Sequence, residues 1–194
     1  MKNTTLRGMA AIAVLMAGLG SAVAQESTNV VATEDDWTVF AADDPRECWA
    51  VSPPKSTLNT KDGEEVEVTR GDIRLYVAYR PGNNGEVSFT GGYPFAPGST
   101  VEVDIGGQKF NLFTEGENAW TGSPSEDQKL IGALRAGSSV VVTGRSSRGT
   151  TTKDTFSLIG IRPEAQRQGH ARCFGAARNH RGVPVPGTGT PDRV

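Results

Sequence analysis

Residues 85–113 read GEVSFTGGYPFAPGSTVEVDIGGQKFNLF, and this stretch decides the fold. Apolar side chains alternate along it: Val87 and Phe89, then Val101, Val103 and Ile105, then Phe110 and Leu112. That is the period of two expected of half-buried strands, so the stretch reads as three strands and two turns. Gly106-Gly107 separates the second strand from the third and supplies positive φ without steric cost, as a two-residue hairpin requires. Tyr93 to Gly98, YPFAPG, brackets aromatics with prolines and reads as a stiff corner.

Upstream, the same pattern extends through Trp37 to Phe40 and through Glu47 to Val51, where Cys48 and Trp49 fall on opposite faces. Asp43-Asp44-Pro45 marks the turn between them. A longer connection carrying Asp62-Gly63 leads to Val66-Glu67-Val68 and then to Ile73 to Tyr79, in which Ile73, Leu75, Val77 and Tyr79 share one face. Asn83-Asn84-Gly85 is a hairpin signal that makes this strand antiparallel to the next. Downstream, Ser123 is the N-cap of a helix with Pro124 at its first position, Glu126 completing a capping box, Leu130, Ile131 and Leu134 on its apolar face, and Gly137 as its stop. Strands resume at Ser139 to Thr143, turn through Arg145 to Thr151, and return through Lys153 to Ile161.

The ends of the chain differ from its middle. Met1 to Ala24 has Lys2 and Arg7, an apolar run from Met9 to Leu19, and Ala22-Val23-Ala24 before Gln25, the layout of a secretory signal peptide. The apolar run falls short of the ~20 residues that span a bilayer, so the product is expected to be exported and not membrane-spanning. Residues 25–36 read as a flexible leader, residues 37–174 as the domain, and residues 175–194 as a disordered basic tail rich in Gly and Pro. From Gln25 to Ile161 there are 12 Lys and Arg against 20 Asp and Glu, and from Arg162 to Val194 there are 6 against 2. A basic tail on an acidic domain could bind an anionic surface, but arginines this sparse form no dense polybasic patch, and solvated padding or folding back on its own domain is the preferred reading; no nucleic-acid partner is expected.

Cys48 and Cys173 are the two cysteines. In an oxidising compartment a lone pair reads as a disulfide, because zinc wants about four ligands. Such a bridge would close a loop of about 100 residues or more, worth on the order of 4 to 5 kcal/mol before native strain is subtracted. The alternative is two buried, unpaired thiols.

Few residues suggest catalysis. The histidines are His170 and His180, one three residues from Cys173 and one in the tail, and no nucleophile elbow, P-loop, zinc-protease motif or EF-hand loop occurs. No cofactor or metal is expected. The acidic clusters at Glu34-Asp35-Asp36 and Asp43-Asp44 lack ordered ligand spacing and read as solvated turns. Two loops remain as candidate binding residues. Arg70-Gly71-Asp72 spells the integrin-recognition tripeptide, which demands that Arg and Asp project together; a three-residue match arises readily by chance, and chance is the preferred reading. Arg145 and Arg148, in a loop with Ser146 and Ser147, could clamp an anion, although a polar hairpin explains them as well.

The order of these pieces resembles a known family. An export signal, an N-terminal Trp-containing strand with Cys48, the PGSTVEVDIGG segment at 97–107, the helix with Leu130, Ile131 and Leu134, and DTFSLIGI followed by Cys173 look like the invasion-associated locus B family of bacterial exported proteins. The resemblance covers about Trp37 to Cys173. It implies a single all-β domain, an immunoglobulin-like sandwich, in the periplasm or cell envelope, with a non-enzymatic role in envelope function or host-cell entry. Many members carry a cysteine pair where this chain has residues 113–120 without one, and the basic tail is an addition. The expectation is therefore an all-β sandwich of about 8–9 strands with one short helix, acting by binding an envelope or surface protein. The competing class is a periplasmic hydrolase acting on envelope material, which would show a pocket of converging polar residues around a shifted acid or base.

Overall fold

The alternation in the sequence produces strands in the computed structural model, which describes residues 30–161. The signal segment, the basic tail, Cys173 and both histidines lie outside the described residues.

Twelve strands and one helix follow in order: β1 (Val30–Glu34), β2 (Trp37–Asp43), β3 (Arg46–Ser52), β4 (Ser56–Lys61), β5 (Glu64–Glu65), β6 (Arg74–Tyr79), β7 (Glu86–Thr90), β8 (Thr100–Ile105), β9 (Gln108–Glu115), β10 (Asn118–Trp120), α1 (Pro124–Ala136), β11 (Ser139–Arg145) and β12 (Thr151–Ser157). They form one sheet in the order β1-β2-β3-β6-β7-β10-β9-β8-β11-β12-β4-β5. All-β with one short helix holds. The strand number is twelve instead of 8–9, for four local reasons. The two-residue Glu64–Glu65, expected in a connection, pairs with β4. Val30–Glu34, expected in the flexible leader, pairs with β2. Ser56–Lys61, expected in a connection, pairs with β12 along Thr57↔Asp154 and Asn59↔Thr152. Asn118–Trp120 is short and inserts between β7 and β9. Val66–Val68, expected as a strand, lies outside any ladder, with the Val66 amide donating to the Asn59 carbonyl at 2.9 Å.

A single ladder still makes two facing layers, because the sheet folds over on itself. Phe89 on β7 meets Phe156 on β12 edge to face, with centroids 6.1 Å apart, and the Trp37 indole on β2 donates to the Ser157 carbonyl after a 120-residue separation, at 2.9 Å. Between the layers lie Leu75, Val77, Val87, Val101, Val103 and Leu112, all fully buried. These are the inward positions of the period-two pattern. The Gly106-Gly107 turn has φ of +60° and +92° and joins β8 to β9 with Ile105 opposite Gln108, as the sequence of residues 85–113 predicts.

Helix α1 closes one end of the folded sheet. Ser123 Oγ accepts from the Glu126 amide at 3.3 Å, while the Glu126 carboxylate reaches back past Ser123 to accept the Gly122 amide at 3.0 Å, one residue beyond the reciprocal bond a capping box predicts. Leu130, Ile131 and Leu134 are buried as expected. Asp127, polar but three and four residues before Leu130 and Ile131 and so on the same helix face, is also buried and accepts the Val87 amide at 2.8 Å, tying the first turn of the helix to β7. Gly85 has φ +117°, and a side chain there would strike Ile131 at 2.6 Å, so this turn needs glycine for both its conformation and its packing.

Candidate functional site

At the opposite end of the strands from α1, four loops bound a groove of about 590 Å³. The walls are the segment Glu67 to Arg70 before β6, the corner Gly92 to Pro94, Glu117 in the β9–β10 turn, and Ser146 to Arg148 with Thr150 in the β11–β12 turn. Its size is in the range of small-molecule and peptide-segment sites.

The floor is a polar network built around Arg70. Its guanidinium donates to both oxygens of Asp154, Nη1 to Oδ1 and Nη2 to Oδ2, each at 2.7 Å. Nε and Nη2 also donate to the Gly91 carbonyl at 3.0 and 2.8 Å, and Nη1 reaches Asn59 Oδ1 at 3.4 Å. An arginine has five N–H donors, and these five contacts use them all. The Tyr93 ring lies over the guanidinium with its centroid 4.9 Å away, and the Tyr93 hydroxyl shares a 2.6 Å hydrogen bond with Thr152.

Burial gives this network its character. The Arg70 side chain is 6% exposed and that of Asp154 is fully buried. Burial pushes the Asp154 carboxyl up from its ordinary value, and the hydrogen bonds and charge of Arg70 pull it back. Both carboxylate oxygens accept, which is the ionised, bidentate arrangement. Burial likewise raises the Tyr93 phenol. These groups are matched to one another and hold the floor together.

The sequence candidates therefore separate. Arg70 of the Arg-Gly-Asp tripeptide points inward and has its donors occupied, while the Asp72 side chain is 84% exposed and meets Arg74 at 3.5 Å. The two ends of the tripeptide are not presented together: the Arg70 side chain is held in the groove floor and that of Asp72 faces solvent. Gly71 joins two of the groove loops through its backbone, its amide donating to the Gly92 carbonyl at 2.9 Å. Arg148 lines the groove, whereas Arg145, exposed at the end of β11, does not. The Arg145 carbonyl accepts from the Ala96 amide at 2.9 Å, so its backbone fixes the corner. The groove is not visible as such in the sequence. Its walls come from four separated loops, and of its lining only Arg70 and Arg148 stand out as candidates beforehand.

The remaining candidates place simply. Cys48 is buried on β3 and is not a free thiol; its expected partner Cys173 lies outside the described residues. Among the described residues, no group of three or more His, Cys, Asp or Glu is arranged to hold a metal, and no helix is long and apolar enough to cross a membrane.

No protein-family model matches the chain, and no curated protein matches it by sequence. Among solved structures it is similar to the crystal structure of invasion associated protein B from Bartonella henselae. The two are 12% identical, the match covers 73% of this chain and 96% of that one, and the TM-score is 0.52. At that identity the likeness is one of fold.

Proposed function

We infer that the protein is an exported envelope protein that acts by binding through the groove opposite α1, without catalysis. The observation that carries this reading is the spent floor: Arg70, Asp154, Tyr93 and Thr152 satisfy one another, so the polar interior shapes the groove and leaves contact to its rim. A hydrolytic site would instead point an acid or base at the substrate. The rim offers Val68, which is 40% exposed, with Glu67, Ser147 and Arg148 as polar contacts. An apolar contact ringed by polar ones on loops held by a rigid sheet suits recognition of a surface or envelope protein.

The fold shared with invasion associated protein B supports an envelope setting, and the signal-peptide layout at Met1 to Ala24 supports export. In that compartment Cys48 and Cys173 form the intramolecular staple. Non-reducing mass spectrometry of the exported protein then shows a single internal bridge, and two alkylatable thiols would exclude the staple. The binding reading is tested by a photo-crosslinking residue at Val68 with one at Leu58 on β4 as control, both similarly exposed. In intact cells the Val68 probe captures one discrete partner that the Leu58 probe does not. Equal labelling from both positions would count against the groove as the binding site.

A further inference from the structure

One wall of the groove, Glu67 to Arg70, has an open backbone. Among the described residues, the backbone amides and carbonyls of Glu67, Val68, Thr69 and Arg70 have no hydrogen-bond partner. Val66 just before them donates to the Asn59 carbonyl, and Gly71 just after them donates to the Gly92 carbonyl, each at 2.9 Å. Backbone pairing thus stops at Val66 and resumes at Gly71. None of the residues between has positive φ, and Val68 among them is 40% exposed. Open donors and acceptors beside an exposed apolar side chain are what an added strand recognises.

We propose that the strand is supplied by this chain's own C-terminal segment, Val183-Pro184-Val185-Pro186-Gly187, which pairs with Glu67 to Arg70. The proposal rests on the groove being the binding site and assigns its regulation: the segment holds the groove until an envelope partner displaces it. Its sequence suits pairing on one side. A residue before proline is pushed toward extended conformations, so Val183 and Val185 favour strand geometry before they dock. In an extended chain alternate N–H groups point to the same side, and proline has none to donate. Val183, Val185 and Gly187 therefore carry their donors on one edge, while Pro184 and Pro186 leave the other edge blunt. The two valines also share a face, where they can cover Val68.

Length permits this contact and charge favours it. The structure describes the chain as far as Ile161, and Arg162 to Gly182 extend to at most ~70 Å, against a radius of gyration of ~14 Å for a domain of this size. With Cys173 stapled to Cys48, which lies opposite Tyr79, the stretch from Cys173 to Val183 still reaches ~35 Å, well beyond the ~20 Å length of β6 that separates Tyr79 from the wall. Asp62, Glu64, Glu65 and Glu67, against Lys61, lead into the wall, all exposed. None of the five is in an ion pair among the described residues. The other walls are near balance, with Glu115 and Glu117 at one turn and Arg145, Arg148 and Lys153 around the other. Arg70 and Arg74 are engaged by Asp154 and Asp72. With the two segments parallel, Arg178 and Arg181 precede Val183 as the acidic residues precede Val68, so opposite charges meet, while Asp192 and Arg193 offset each other beyond it.

The test is amide hydrogen exchange, read by NMR, on the full exported protein. Amides bonded to water alone exchange at open-chain rates; in the unaltered protein two alternate amides of residues 67–70 exchange roughly tenfold or more slowly, because the tethered segment pairs with them. Val183→Asp with Val185→Asp restores open-chain rates. Ala176→Asp with Ala177→Asp adds the same charge outside the pairing segment and leaves the two amides slow. The proposal is overturned if all four amides exchange at open-chain rates in the unaltered protein, or if the Val183→Asp, Val185→Asp variant leaves them slow. It is also overturned if slow exchange accompanies a dimer in sedimentation and vanishes with it on dilution, which would put the segment on a second copy. Association with isolated envelope fractions separates this proposal from the groove reading: the Val183→Asp, Val185→Asp variant associates several-fold more strongly, its groove being open. Open-chain exchange in the unaltered protein, with association still governed by Ser147 and Arg148, overturns the tail segment alone. Slow exchange that the variant abolishes while association stays unchanged upholds the pairing and counts against the groove as the partner's site.

Discussion

Arg70 and Asp154, 84 residues apart in the chain, meet through two parallel hydrogen bonds of 2.7 Å beneath the groove. This pair joins the loop before β6 to the middle of β12 and so locks two walls of the site to one layer of the sheet. Removing one partner of a buried pair leaves an uncompensated charge, which costs about 3–5 kcal/mol. Arg70→Met and Asp154→Asn each lower the unfolding free energy in urea by that order. The double variant Arg70→Met with Asp154→Leu loses clearly less than the sum of the two single losses. Additive losses would show that the two groups do not act as a pair.

Tyr93 gives the site a pH signature. Burial holds its phenol above the ordinary value of 10.0, so the folded state keeps a proton that the unfolded chain has released. The associated stability is fully present below pH 10 or so and is lost as pH rises through the raised folded value. Absorbance titration of tyrosinate resolves one phenol that ionises above the unfolded range, and Tyr93→Phe removes that step. A Tyr93→Phe protein with the same late step would assign it elsewhere.

Asp127 fastens α1 to β7 through the buried Val87 amide. Asp127→Ala leaves that N–H without a partner at a cost of about 1–3 kcal/mol, and hydrogen exchange at Val87 accelerates by the matching factor. Asp127→Asn retains an acceptor and recovers part of the loss.

Gly92 and Gly98 separate backbone strain from close contact. Both have positive φ, +69° and +71°, but a Cβ at Gly92 would meet the Gly71 carbonyl at 2.6 Å while one at Gly98 meets nothing within 4 Å. Gly98→Ala therefore costs about 1–2 kcal/mol for its left-handed conformation alone. Gly92→Ala costs measurably more in denaturant melts, because it also forces apart the Gly71–Gly92 contact that joins two groove loops.

The core and the helix are legible in the sequence because their signals are local. Val87, Phe89, Val101 and Leu112 announce their face by alternation, and Ser123-Pro124 announces the start of α1 through its own chemistry. Val30–Glu34 and Ser56–Lys61 escape such a reading because VVATE and STLNTK carry no clean alternation. Their strand form comes from partners, β2 and β12, that the local sequence does not reveal. The groove is hidden for a related reason. Asp154 sits in KDTFS among polar neighbours, and nothing near it signals that its carboxylate is buried against Arg70. Likewise Phe113 and Trp120 are seven residues apart in sequence, and only the β9–β10 register sets them side by side.

The proposed recognition at the rim rests on a floor in which Arg70 and Asp154 are hydrogen-bonded to each other. The decisive measurement is association of the purified protein with isolated envelope fractions. It compares the rim variant Ser147→Trp with Arg148→Glu against Asp72→Ala, which alters an exposed carboxylate outside the groove lining. The rim variant is expected to keep its unfolding midpoint and to lose association by roughly tenfold or more, while Asp72→Ala associates like the unaltered protein. Undiminished association of the rim variant, or loss on changing Asp72 alone, would refute binding at the rim.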